Sequence, residues 1–347
     1  MADARASTIK GNKIKVFDGL PKFFGGKRRF AKFILSKSKG NIFADAFLGG
    51  ASVSIYAKAQ NKTVLCNDIS FLSEQLGRAY IENNSVKMDN DDLNRLFMPG
   101  RKSDFISEKY CPDIFTTRHS KFFDNARFWI EKTNSQTRRS LLYCFLAKFL
   151  LDVRPYGNFT TTYLSELAEQ LDKCPKNKIP EHSMIGSVAS MFTQPLYYQA
   201  QKIMGKVNSS VFTNGCINKF YKLDVFKFIE TIRADTIYLD PPYYGATSYE
   251  EYYGVLNSCL LGKVIKSTKS KFNKDQNFDF LAKLIQSCAK FERVILSYGC
   301  EKTTPEEVLA MVKDFRPQAE LYKIPHQYSV GVKDGKVPVK TEILIVA

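Results

Sequence analysis

Three histidines in 347 residues leave little material for a metal site. The histidines, His119, His182 and His326, lie far apart, and the eight cysteines, scattered from Cys66 to Cys300, form no CxxC pair. Zinc needs clustered Cys and His ligands, and disulfide frameworks belong to small secreted domains. Neither is expected, and no metal is assigned. Acidic residues are also short: 35 Asp and Glu stand against 51 Lys and Arg, a formal net charge of +16. Such a surplus points to a polyanionic partner, nucleic acid above all, although an ordinary basic soluble protein can carry it too. No apolar run is long enough to cross a bilayer, and the opening MADARASTIK has no apolar h-region. A cytoplasmic setting without a membrane partner is therefore expected. With 44% hydrophobic residues and no internal repeat, the chain reads as globular, with one large or two moderate domains.

What the chain does have is a set of short apolar runs that stop at an acid. Asn41–Ala44 ends at Asp45, the run TVLCNDI ends at Asn67-Asp68, and Ile237–Leu239 ends at Asp240. Each reads as a buried strand. Phe47–Ala51 forms a turn after the first run, with a helix starting at Ser52. Gly49 and Gly50 there permit unusual backbone angles and leave room beside a ligand. Asp45 at the strand end suits an ammonium group. Asp68 follows the glycine turn by about 20 residues, the interval at which an acid ending the second strand of a Rossmann-like sheet takes ribose hydroxyls; it also suits a helix cap. No GxGxxG is present, which argues against a dinucleotide-binding turn.

The third run, TIYLDPPYYG, organises the rest. Pro241 and Pro242 cannot extend a sheet ladder, so the strand ends abruptly and presents the Asp240 carboxylate, proline carbonyls and the Tyr243 ring. The lone pair of a nucleobase amino group is delocalised into its ring. A carboxylate and a carbonyl accepting its two hydrogens would draw the nitrogen toward a more nucleophilic, tetrahedral state, while Tyr243 stacks on the base. A strand-ending turn followed by a packed aromatic remains the plainer reading of the same four residues.

Asp-Pro-Pro-Tyr resembles the signature of amino-methyltransferases. The segment PKFFGGKRRFAKFI, with Gly25, Gly26 and Lys27 before a basic helix, resembles the N-terminal segment of the alpha-group N6-adenine DNA methyltransferases. NIFADAFLGGAS resembles that family's cofactor loop, with Ala46 in place of a proline and Ala51-Ser52 in place of the last glycine. The resemblance implies a Rossmann-like α/β sheet binding S-adenosyl-L-methionine, and adenine N6 in double-stranded DNA as acceptor after base flipping. It implies that Phe24, Gly25, Gly26 and Lys27 close the methionine end of the cofactor, and that Asp45, Phe47, Gly49, Gly50, Asp68 and Asp240 line its site. Asp224, before an amphipathic helix, would meet the cofactor's adenine amino group or cap that helix. Asp240, Pro241, Pro242 and Tyr243 form the catalytic set. A bacterial, archaeal or phage source and a cognate restriction endonuclease as companion fit the same family. Methylation of cytosine N4 or of RNA, and a decayed scaffold that only binds DNA, are the alternatives. Protein-glutamine methylation is disfavoured because its tetrad typically begins with Asn.

Residues 1–73 and 209–347 are expected to form the catalytic domain, and 74–208 a mostly helical target-recognition insert, including a buried helix over Leu141–Leu151. Arg154, Tyr156 and Asn158, in a turn dense with hydrogen-bonding groups, are candidate DNA contacts. After the tetrad, 244–277 reads as a long irregular segment, a mobile lid whose Lys263, Lys266, Lys269 and Lys271 would grip phosphates. Two short C-terminal strands are expected across an Asp-Gly hairpin at Lys333–Lys336.

Overall fold

The computed structural model describes residues 15–22, 25–100, 103–153, 194–245, 249–265, 270–300, 302–327 and 339–347. Seven strands form one sheet: β1 (Ile42–Asp45), β2 (Thr63–Asn67), β3 (Lys219–Tyr221), β4 (Thr236–Leu239), β5 (Arg293–Gly299), β6 (Glu320–Gln327) and β7 (Val339–Val346). Their order is β3-β2-β1-β4-β5-β7-β6. The first five run parallel, and β7 is antiparallel to both β5 and β6. This is the Rossmann-like α/β sheet expected from the sequence.

Alternation along the strands divides the core in two. Phe43, Tyr238, Ile295 and Leu344 face one side, where the helices Phe71–Leu76, Thr117–Glu131, Gln136–Asp152 and Leu196–Ser209 pack. Ala44, Ile237, Leu239, Val294, Leu296, Ile343 and Ile345 face the other, against the helices Val225–Thr231, Asp279–Ser287 and Pro305–Phe315. With both faces covered, β4 is buried at every position, which is why parallel strands read as continuous apolar runs. Helix Gln136–Asp152 buries everything from Ser140 to Leu151. The described helices between 74 and 208 thus share their core with the sheet. Arg154, Tyr156 and Asn158 lie outside the described residues, as does the hairpin turn at Lys333–Lys336.

The segment after the tetrad departs from its expected irregularity. Tyr249–Leu261 is a helix whose Tyr253, Leu256, Cys259 and Leu260 are buried in the first core. Burial against Gln136–Asp152 outweighs the weak helical signal of a stretch interrupted by Gly254.

The strand order reverses between β1 and β4, so their carboxyl ends diverge and open a crevice. The Ala46 amide donates to the Tyr238 carbonyl at 3.0 Å, fixing the two ends side by side.

One buried cation ties the cofactor-loop helix Ser52–Ala59 to its neighbour. Lys58 is fully buried, and its Nζ donates to the carbonyls of Tyr80, Ile81 and Asn83 at 2.9, 3.0 and 2.7 Å. These are carbonyls that the end of the π-helical segment Gly77–Glu82 leaves without helical partners. Lys58→Met keeps the buried stem but strands the three oxygens. It should cost about 3 kcal/mol in urea unfolding, with native circular dichroism retained in the absence of denaturant.

Candidate active site

The crevice leads into a cavity of about 530 Å³, a size suited to a small-molecule ligand. Its walls are the ends of β1, β2 and β4 and the turns that follow them. Gly25, Gly26 and Lys27 contribute one side, and Tyr253, Asn257, Lys271, Phe272 and Asn273 another.

Asp45 ends β1 at the cavity wall and is 1% exposed. Ser54 donates its hydroxyl to Oδ2 at 2.7 Å and the Phe47 amide approaches Oδ1 at 3.3 Å. Burial pushes the carboxyl up to about 7, against the pull of Ser54 and with a further push from Asp240. Asp68 is held more tightly, its two oxygens accepting the amides of Gly49 at 2.9 Å and Ser70 at 2.8 Å; burial raises its pKa nonetheless. These bonds clasp the Phe47–Ala51 turn to the end of β2, helped by the Leu48 amide on the Asn67 carbonyl at 2.9 Å. Ala51, where the resembled loop carries glycine, adopts φ 60°, a left-handed conformation that costs a residue with a Cβ about 1–2 kcal/mol.

Asn67, one residue before Asp68, sets the next wall. Its amide group donates to the Leu223 carbonyl at 3.1 Å and its oxygen accepts the Leu223 amide at 3.0 Å. The following residue, Asp224, is thereby brought to the cavity, where its Oδ1 also caps helix Val225–Thr231 through the Phe226 amide at 3.0 Å.

Asp240 and Pro242 line the cavity at the end of β4; Pro241 is buried behind them. Lys27 lies 3.0 Å from Asp240 Oδ2, 2.8 Å from Glu342 Oε1 and 2.9 Å from the Tyr243 hydroxyl, with its Nζ also donating to the Gly25 carbonyl. Tyr243 Oη is 2.8 Å from both Asp240 Oδ1 and Glu342 Oε1, so its one hydrogen serves either carboxylate. Burial pushes the Asp240 carboxyl above its ordinary range; Lys27 opposes this and Glu342 adds to it. Lys27, expected at the methionine end of the cofactor, lies on the cavity wall with its charge directed into an acid cluster. The Tyr243 ring packs 5.0 Å from Tyr298 and over Gly299, where a Cβ would come within 2.6 Å of it.

The remaining candidates divide. Phe47, Gly49 and Gly50 line the cavity. So does Lys271, expected at a phosphate, with its ammonium 5.4 Å above the Phe280 ring. Lys263 is exposed just past helix Tyr249–Leu261. Phe24, Lys266 and Lys269 lie outside the described residues. Sequence reasoning missed Glu342, Ser54 and Asn273. Asn273 donates to the Tyr243 carbonyl at 3.0 Å and accepts the Gly245 amide on its own carbonyl at 3.1 Å, tying Ser270–Asp275 to the tetrad. Among the described residues no group of three His, Cys, Asp or Glu could hold a metal ion, and no helix is long and apolar enough to cross a membrane.

The model of the D12 class N6 adenine-specific DNA methyltransferases matches residues 23–302. The chain belongs to this family. It is an enzyme of adenine N6 methylation in DNA, as the resemblance of its motifs implied. It is 29% identical over 319 residues to the Type II methyltransferase M2.HphI of Haemophilus parahaemolyticus, covering 90% of this chain and 93% of that protein. It is 28% identical to the Type II methyltransferase M.NlaIII of Neisseria lactamica, across 75% of each. With the Type II methyltransferase M.FokI of Planomicrobium okeanokoites it shares 23% identity, over 83% of this chain and 45% of that longer protein.

Asp45 gives the ligand-free methyltransferase a pH signature. Its carboxyl is raised from 3.8 to about 7, so between those values the folded state holds a proton that the unfolded state has shed. Stability therefore falls as pH rises through this window and levels off above 7. Asp45→Asn should remove that loss. Urea unfolding should find the variant more stable than wild type by about 2–4 kcal/mol at pH 8, with the difference vanishing near pH 4.

Proposed function

We propose that the cavity binds S-adenosyl-L-methionine and that Asp240, with the Pro241 carbonyl, receives the N6 amino group of a flipped adenine from double-stranded DNA. The observation that carries this is the pairing of strand ends: Asp45 and Asp240 close adjacent strands on one cavity. One acid can face a ligand ammonium while the other faces the acceptor amine. The fit to the cofactor rests on Asp45, a buried carboxyl whose close partners are a hydroxyl and an amide, which a cationic ammonium would complete. Asp68 would take ribose hydroxyls, Asp224 the adenine amino group, and the amides of Gly25 and Gly26 the carboxylate.

The cofactor supplies a sulfonium-activated methyl group. The chain's own residues orient the acceptor, as accepted hydrogen bonds at Asp240 and Pro241 localise the nitrogen lone pair and aim it into the cavity. Catalysis is positioning and electrostatics, without a metal. Tyr243 stacks on the flipped base. Residues 74–208 act as the recognition insert, with Arg154, Tyr156 and Asn158 on DNA, and Lys263, Lys266, Lys269 and Lys271 belong to the segment that follows the acceptor site. The Type II designation of the relatives supports a modification role beside a cognate restriction endonuclease, in the cytoplasm.

Incubation with labelled cofactor and genomic DNA, followed by digestion to nucleosides, should yield N6-methyladenine; N4-methylcytosine, or label in RNA alone, would overturn the acceptor assignment. Asp240→Ala should lower transfer by about 10³-fold with little change in cofactor affinity, and full activity in that folded variant would refute its role. Because bound ammonium favours ionised Asp45, cofactor binding should tighten as pH rises toward about 7 and release a proton below it. Calorimetry in buffers of different ionisation heat measures that release.

A further inference from the structure

We propose that Glu342, on β7, is a positioning residue of the transfer site: it retains Lys27 and the Tyr243 hydroxyl so that Asp240 can give its oxygens to the adenine amino group. This rests on the role assigned to Asp240 above. Lys27 Nζ has three N–H donors, yet Gly25 O, both Asp240 oxygens, Tyr243 Oη and Glu342 Oε1 all lie within 3.1 Å of it. The partners outnumber the donors, so one can leave without stranding the cation. Asp240 faces the cavity, whereas Glu342 is 8% exposed and projects from the sheet beside it. When an amino group arrives at Asp240, the ammonium still has a carboxylate 2.8 Å away, and the Tyr243 hydroxyl keeps an acceptor at the same distance.

The seat is built into the sheet. Gly299 and Glu342 are cross-strand partners of β5 and β7. The bare backbone of Gly299 admits the Tyr243 ring, and the neighbouring strand presents the carboxylate to its hydroxyl. Glu342 gives Lys27 a carboxylate besides Asp240, so an amine that arrives at Asp240 leaves the buried ammonium still paired with an acid, where breaking a buried ion pair outright is costly.

Glu342→Gln preserves shape and removes the charge. With genomic DNA that the wild-type enzyme methylates, its single-turnover rate at saturating cofactor should fall about 10- to 100-fold, with cofactor Kd changed less than about threefold and Tm near wild type. Glu342→Asp should retain more of the rate. Loss of the Glu342 charge also strengthens the Lys27 hold on Asp240, so the acid limb of the rate profile should move to lower pH, a shift that a purely structural role would not produce. A folded Glu342→Gln protein with the wild-type rate, or with a loss that cofactor Kd or Tm accounts for and an unmoved acid limb, would overturn the proposal. Asp240→Ala in the same assay separates the two ideas. If it is inactive while Glu342→Gln is normal, only the Glu342 role falls; if it stays active, the reading of Asp240 falls first.

Discussion

A single buried ammonium joins the parts of this enzyme that the chain keeps apart. Lys27 comes from the N-terminal segment, Asp240 and Tyr243 from the end of β4, and Glu342 from β7. Removing charges from water is expensive, and mutual attraction offsets that only when hydrogen bonds satisfy every group. Here one cation meets two carboxylates and a phenol at hydrogen-bonding distance, while burial raises the Asp240 pKa. Such a cluster is weak evidence for stability and stronger evidence for function, because it keeps an acceptor group desolvated at the mouth of a cavity.

The cluster can form because of where the sheet changes direction. With β2 and β3 on one side of β1 and β4 and β5 on the other, the carboxyl ends of β1 and β4 are the one pair from which the following segments run to opposite sides. Asp45 and Asp240 occupy those ends. Asn67 and Asp68 then tie the adjacent turns down, through Leu223, Gly49 and Ser70. The site is thus a consequence of topology, with short polar side chains fixing backbone that the sheet itself leaves loose.

The acids at strand ends were legible because local rules expose them: an apolar run, an abrupt stop, then glycine or proline. Asp45 and Asp240 announce themselves this way, and Asp68 by its interval of about 20 residues from the glycine turn. Glu342 does not. It sits inside KTEILIVA, where a single acid reads as an edge residue of an alternating strand, and only the antiparallel register of β7 against β5 sets it opposite Gly299 and beside Tyr243. Helix Tyr249–Leu261 was hidden for a related reason: its apolar positions gain meaning from helix Gln136–Asp152, which lies about a hundred residues earlier. β3, three residues long with an exposed first position, carries too little pattern to be read at all. The Tyr243 ring shows the same limit, since its packing on Gly299 depends on a glycine with no local turn to explain it.

Charge separates the two ligands of the proposed reaction. The chain carries a formal net charge of +16, which suits a polyanion outside, yet four aspartates line the cavity, which suits a cation within. Left fully ionised, those acids would oppose DNA phosphates brought to the same mouth. Burial instead raises the Asp45 carboxyl to about 7, so part of its charge develops only when a cationic partner arrives. Lys27 already plays that part for Asp240, and a ligand ammonium would play it for Asp45. Asp45 then becomes anionic as that cation arrives, and adds little to the field that DNA phosphates meet.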